Sequence, residues 1–173
     1  GSLVDAMIRT YESEGRAVFN LFQSGTDPAI SELLLEMTVG VNGTGPLSRD
    51  VVAVNSLYSW SLDYTNMEEG GAIDDFTAMN IEIIRAVHGI SEYSYTSQYG
   101  PQAEWTYAVT IPEFEGVFGA IPVSYIDSDG NEIPVQEGID KVVELTNGWA
   151  NLKEKSNADK KVAVILYDYP PGK

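Results

Sequence analysis

The sequence predicts an α/β protein: a Rossmann-like or flavodoxin-like open sheet with an additional segment that contains a β-hairpin. Three observations carry that expectation. The first unit reads helix, glycine, strand and polar loop, the αβ order of an open sheet, over residues 3–28. Near the end, Lys160–Leu166 (KKVAVIL) is a continuous apolar run behind a charged pair, which suits a strand buried on both faces of a parallel sheet. Between two further apolar runs, Asp129-Gly130 is a hairpin signal.

Composition narrows the function. The 173 residues are 43% hydrophobic and 10% aromatic, which excludes a disordered chain. Ten Lys and Arg against 26 Asp and Glu give a net charge of −16, so nucleic acid and anionic membrane surfaces are disfavoured as partners. There is no cysteine, hence no thiolate metal site or cysteine nucleophile. No apolar run is long enough to span a bilayer and no signal peptide is visible, so a soluble chain is expected; a cytoplasmic location is expected as well, but these features do not encode it.

Residues 3–14 carry apolar positions at Leu3, Val4, Met7, Ile8 and Tyr11, the spacing of an amphipathic helix, and Gly15 ends it. Residues 16–22 (RAVFNLF) read as a strand. Asp27 as N-cap and Pro28 at the first position open a helix to about Met37. The glycines at 40, 43 and 45 lack the Gly-Lys-Ser/Thr ending of a phosphate loop and read as a flexible connection. Strands follow at residues 50–60 and 80–87, separated by an acidic loop and a short helical turn around Phe76–Met79. His88 is the chain's single histidine and cannot make a His-based metal site by itself.

Residues 91–105 hold Tyr93, Tyr95, Tyr99 and Trp105 among Ser, Gln and Gly. Such rings can face a planar ligand, or pack on the sheet with their polar ends wet; packing is the favoured reading. Residues 107–111 alternate Tyr107, Val109 and Ile111 on one face of an expected strand, followed by Pro112-Glu113-Phe114-Glu115-Gly116. On an extended backbone Glu113 and Glu115 point the same way and can share a cation or a basic group. Equally, a carboxylate there can accept turn N–H groups, with Gly116 at positive φ.

Asp127–Asn131 fails as a calcium loop, because its glycine falls at the fourth place and the twelfth is Gly138. Residues 136–155 form the clearest helix, with Ile139, Val142, Val143, Thr146, Trp149 and Leu152 on one face; Gly138 and Gly148 weaken it. The closing strand runs into Tyr167-Asp168-Tyr169-Pro170-Pro171-Gly172-Lys173, a stiff exit where open sheets place ligands. A core strand so close to the last residue is expected of a chain that stops inside a larger protein. The boundary between an α/β unit (residues 3–90) and a β-rich segment, helix and terminal strand (residues 91–173) is soft.

These motifs resemble the family of the cobaltochelatase large subunit (CobN) and the magnesium chelatase H subunit. KKVAVILYDYPPGK is similar to that family's strand and aromatic-x-aromatic-Pro-Pro-x-Lys sequence, without its Gly-Asn-x-Gly continuation. Pro112, Glu113 and Gly116 match a Pro-Glu-x-Asp-Gly motif, with Glu115 in place of the aspartate and Ile121-Pro122 following in order. Trp149, Leu152, Lys153, Lys155, Asn157, Lys160, Lys161 and Ala163 match the preceding helix, and Gly15, Ser24, Gly25, Asp27 and Glu104-Trp105 fall on weaker motifs. The third strand lacks the family's proline.

The resemblance implies part of the tetrapyrrole-binding large subunit of an ATP-dependent metal chelatase, with cobalt favoured over magnesium. It implies a corrin or porphyrin as partner and ATPase subunits that supply ATP hydrolysis. Trp105, Glu113, Glu115 and Tyr169 are the candidate substrate contacts. No catalytic or metal-ligating residue is assigned, no cofactor is expected in this stretch, and the isolated chain is expected to be inactive although the parent is an enzyme. The alternative is a non-catalytic α/β module that binds a ligand or partner.

Overall fold

The computed structural model describes residues 2–22, 28–40, 45, 51, 53–57, 62–63, 72–99 and 102–165. Its elements are α1 (Ser2–Ser13), α2 (Ile30–Thr38), β1 (Ala53–Ser56), α3 (Ile73–Met79), β2 (Glu82–Val87), β3 (Ile90–Ser91) and α4 (Glu92–Thr96). A π-helical turn (Thr106–Thr110) then leads into α5 (Ile111–Phe114), β4 (Phe118–Pro122), β5 (Ser124–Ile126), β6 (Glu132–Pro134), α6 (Gln136–Glu154) and a 3-10 turn, Asn157–Asp159. The protein is mixed α/β, as the alternation of helical and apolar segments predicts.

The main sheet is parallel in the order β1-β2-β4, so it takes two strands from before residue 90 and one from after it. β2 is central, and its sequence EIIRAV is buried from Ile83 to Val87, as a strand covered on both faces must be. On one face Val54 and Ile83 pack with Phe76 and Met79 of α3 and with Ile30, Leu34 and Leu35 of α2. On the other, Ala86 packs with Leu3, Met7 and Tyr11 of α1 and Ile139, Val142 and Val143 of α6. The Tyr11 hydroxyl reaches Asn55 of β1 and Thr146 Oγ1 of α6 (2.8 Å), and burial raises its pKa.

A second small sheet, β3-β5-β6, holds the expected hairpin. The N–H groups of Asp129 and Asn131 donate to Asp127 Oδ1 at 2.9 and 2.8 Å. The Asn131 N–H does most to hold the Asp127 carboxyl below the usual aspartate value.

α6 runs antiparallel to the strands. Its first turn lies against the carboxyl end of β4, where a Cβ on Gly138 would sit 1.8 Å from the Pro122 carbonyl oxygen. Its last turn lies at the start of β2, where Lys153 Nζ donates to the Asn80 carbonyl. Gly138 is therefore a close-approach residue as well as a weak helix former. Gly148 has open space around it.

Several local expectations are corrected. Residues 16–22 form no strand and lie largely exposed, with Phe22 at 86%. Residues 161–165 of the closing run are likewise outside any sheet and exposed, so the expectation of burial on both faces fails there; residues 166–173 lie outside the described residues. Both runs have strand composition, but among the described residues neither has a strand alongside it to satisfy its backbone. α2 starts at Ile30 with Ala29 as N-cap, two residues later than the Asp27-Pro28 signal implies, and Asp27 lies outside the described residues. The described part of the 50–60 strand is four residues long. The aromatic stretch after residue 91 is not all loop, since Ser91 Oγ accepts the Ser94 N–H and starts α4.

The expected strand at 107–111 is helical. Tyr107, Val109 and Ile111 fit a two-residue period, but the period is not used: Ala108 is the buried residue and Tyr107 is 52% exposed. Pro112 has no N–H to return to the carbonyl four residues back, that of Ala108. The buried Arg85 side chain takes that carbonyl instead, Nε to O at 2.7 Å.

The two α6 glycines separate these effects. Gly148→Ala is expected to stabilise by about 0.5–1 kcal/mol through helix propensity. Gly138→Ala is expected to destabilise by about 2–3 kcal/mol through overpacking against β4. Urea midpoints of the two variants, measured together, check both signs.

Candidate functional site

Open parallel sheets present ligands at the carboxyl ends of their strands, and here that edge is aromatic. Val87 ends β2 and packs with Ile90 and Ala108; Trp105, Val109, Ala120 and Tyr125 pack against them. Tyr95 of α4 stacks on Tyr125 of β5, ring centres 5.1 Å apart and 11° from parallel. Tyr93 and Tyr99 stand out from the same segment, 67% and 82% exposed. The result is a buried apolar cluster with exposed phenol rings beside it, and rings of that kind can face a flat, largely apolar ligand.

The structure separates the sequence-derived candidates. Trp105 is partly buried against this cluster, and its indole N–H is buried without a hydrogen-bond partner among the described residues. Glu113 is exposed. Glu115 is 4% exposed, and its carboxylate accepts the N–H groups of Leu62 (2.6 Å) and Asp63 (3.3 Å). The expectation that both carboxylates point the same way is thus overturned: one turn of helix between Pro112 and Gly116 sends them to different surroundings. Glu115 does the structural job instead, and Gly116 has the positive φ (82°) that this reading asked of it. Tyr169 lies outside the described residues.

Glu104 precedes Trp105 in the chain. Its carboxylate accepts the Ser91 N–H (3.0 Å) and hydroxyl (2.8 Å). Ser94 first, and the Ser91 N–H next, hold it below the usual glutamate value. His88 follows β2 directly. Its Nδ1 lies 3.1 Å from Glu132 Oε1, which also accepts the Ser124 hydroxyl at 2.8 Å. These contacts orient the ring, the arrangement by which carboxylates orient functional histidines elsewhere. Among the described residues no cluster of three or more His, Asp or Glu is placed to hold a metal ion.

Arg85 is the residue that sequence reasoning missed. It lies at the centre of β2, 1% exposed, and donates to Ala108 O (2.7 Å, Nε) and Ser56 O (2.9 Å, Nη1). Burial pushes its pKa down to about 10, so it stays charged at neutral pH. The available signal was one cation inside an otherwise apolar strand, which must be matched if buried. An open groove of about 400 Å³ lies elsewhere, between α6 and β4, lined by Ile121, Lys141, Leu145, Trp149 and Leu152, and Trp105, Glu113 and Glu115 are not in its lining.

A parallel three-stranded sheet covered on both faces by helices defines the class: a mixed α/β fold of the open-sheet kind. The chain belongs to the CobN/magnesium chelatase family, whose model matches residues 2–173. It is 39% identical over 67 residues to the magnesium-chelatase H subunit of Chlorobaculum parvum, covering 39% of this chain and 5% of that protein. It is 36% identical over 72 residues to the aerobic cobaltochelatase subunit CobN of Pseudomonas aeruginosa, covering 36% of this chain and 6% of that protein. An uncharacterised protein of Methanocaldococcus jannaschii is 27% identical over 115 residues, 61% of this chain and 9% of its own length. The chain therefore spans less than a tenth of the length of these relatives. No solved structure matches it.

Two tests follow from the acids. Glu115→Ala strands two backbone N–H groups and is expected to cost about 2–3 kcal/mol, whereas Glu113→Ala stays within about 0.5 kcal/mol; equilibrium unfolding compares them. Because the folded Glu104 carboxyl titrates low, its contribution is present above the ordinary carboxylate range and lost as pH falls through its folded value. The stability gap between the native protein and Glu104→Gln should then be open at neutral pH and close below about pH 4.

Proposed function

We propose that this chain is part of the large, tetrapyrrole-binding subunit of an ATP-dependent metal chelatase. The observation that carries the reading is the family match along the whole chain, and the aromatic platform beside Trp105 supports it as a surface for a planar macrocycle. In this reading the macrocycle lies against Trp105 and the exposed rings of Tyr93 and Tyr99. Glu113 is exposed and free to meet a cationic group, while Glu115 acts only by holding the turn.

The divalent metal is substrate, and ATP is consumed by separate ATPase subunits that bind the whole large subunit in the cytoplasm. The chemistry asks for groups that remove pyrrole protons and deliver the metal. We assign no such group to these residues, and expect the chain to be inactive alone. Cobalt is our assignment for the metal, on the likeness of the chain, strongest over residues 104–122 and 145–173, to the CobN pattern; magnesium is the competitor, since relatives of both kinds match. The structural job of Glu115, which withdraws one acid from the candidate contacts, favours a second reading, a purely binding module within the same subunit.

Titration of the chain with a metal-free corrin precursor and, separately, with protoporphyrin, followed by tryptophan fluorescence, tests the reading. Saturable binding at about micromolar concentration is expected, weakened about tenfold by Tyr93→Ala and by Trp105→Ala. Preference for the corrin supports cobalt and preference for the porphyrin supports magnesium. Failure of both ligands to bind, with the fold intact by circular dichroism, removes the platform from the substrate site.

A further inference from the structure

We propose that the exposed segment Lys161–Ile165 is a strand of the main sheet in its undocked state, and that it closes in parallel onto the outer edge of β1. Three independent features of the fold point there.

The first is direction. α6 starts over the carboxyl end of β4 and finishes at the beginning of β2, so it returns the chain to the edge where parallel strands start. Whatever follows α6 therefore enters the sheet in the same sense as β1, β2 and β4. The linker from Lys155 to Lys160 is six residues, three of them in the 3-10 turn, and reaches about 15 Å, enough to cross the sheet at about 4.8 Å per strand.

The second is handedness. The step from β1 to β2 passes over the face that holds α3, and Arg85 draws the π-helical turn of the next step onto that same face. Both steps move the chain one way, from β1 through β2 to β4. α6 lies on the opposite face. Crossovers keep one hand, so a connection over the opposite face must move the other way, past β2 and β1. The position it reaches is the outer edge of β1, not that of β4. Among the described residues β1 pairs with β2 alone, and Asn55 of β1 is already gripped by Tyr11 and Thr146 from the helices above.

The third is composition. Val162, Val164 and Ile165 are 84%, 77% and 91% exposed, a continuous aliphatic run that no described residue covers. A run that is apolar on both sides belongs inside a sheet. The other unpaired run, residues 16–22, leaves from the same corner, since Arg16 contacts Asn147, Asn151 and Glu154 of α6. It contains Asn20 and suits the position outside the docked strand, at the new edge.

Hydrogen exchange on the full 173-residue chain tests the closure, with α6 amides as the internal reference for an intact fold. At a concentration where sedimentation shows a monomer, amides of residues 162–165 should exchange at least about tenfold more slowly than an unstructured chain. Val164→Pro should abolish that protection while α6 stays protected. The native chain has no cysteine, so Ala53→Cys combined with Val162→Cys should cross-link within one molecule through a short bismaleimide. Unstructured-chain exchange at residues 162–165 with α6 protected would overturn the proposal. Protection confined to concentrations that dimerise would do so too, by making a second copy the occupant. Efficient cross-linking of Ala53→Cys to Val18→Cys instead would give the edge to residues 16–22 and likewise overturn it.

Discussion

The fold depends on one buried charge. Arg85 sits at the centre of the middle strand and spends its donors on the ends of two other elements, the carbonyl of Ser56 at the close of β1 and that of Ala108 in the π-helical turn. A guanidinium suits this because its rigid, planar fork reaches two acceptors at once and stays charged even at a depressed pKa of about 10. Taking it out of water is costly, and the two carbonyls help to offset that cost. β1, β2 and the turn that carries the aromatic platform are thereby fixed to one another.

The Ala108 contact also explains why the platform has its shape. Pro112 leaves the Ala108 carbonyl without its usual helical donor, and Arg85 fills that gap. The chain around it can then stay helical, which puts Ala108 inside, Tyr107 outside and Trp105 at the rim of the apolar cluster under Val87. One turn later the same helix divides Glu113 from Glu115. The acid that looked most like half of a cation site is instead the acceptor that pins the Leu62–Asp63 backbone.

The main sheet is covered unequally. α3 and α2 serve one face, α1 and α6 the other, and the polar knot of Tyr11, Asn55 and Thr146 ties both members of the second layer to β1. Two strand-like segments remain outside it.

The sequence alone determined what local physics settles. The 3.6-residue stripes of α1 and α6, the glycine stop at Gly15, the Asp127–Asn131 hairpin and the buried run of β2 all stand where their patterns put them, because each is decided by contacts within a few residues or by a strongly apolar face. The family motifs were legible for the same reason: they are contiguous in the chain. Tertiary structure decided the rest. Whether residues 107–111 became strand or helix turned on a carbonyl taken by an arginine 23 residues earlier. Whether Glu115 faced a ligand or a backbone turned on Leu62, 53 residues away. Whether residues 16–22 and 161–165 were strands turned on a neighbour to pair with. A strand is half of an interaction, and its other half is not written beside it in the sequence.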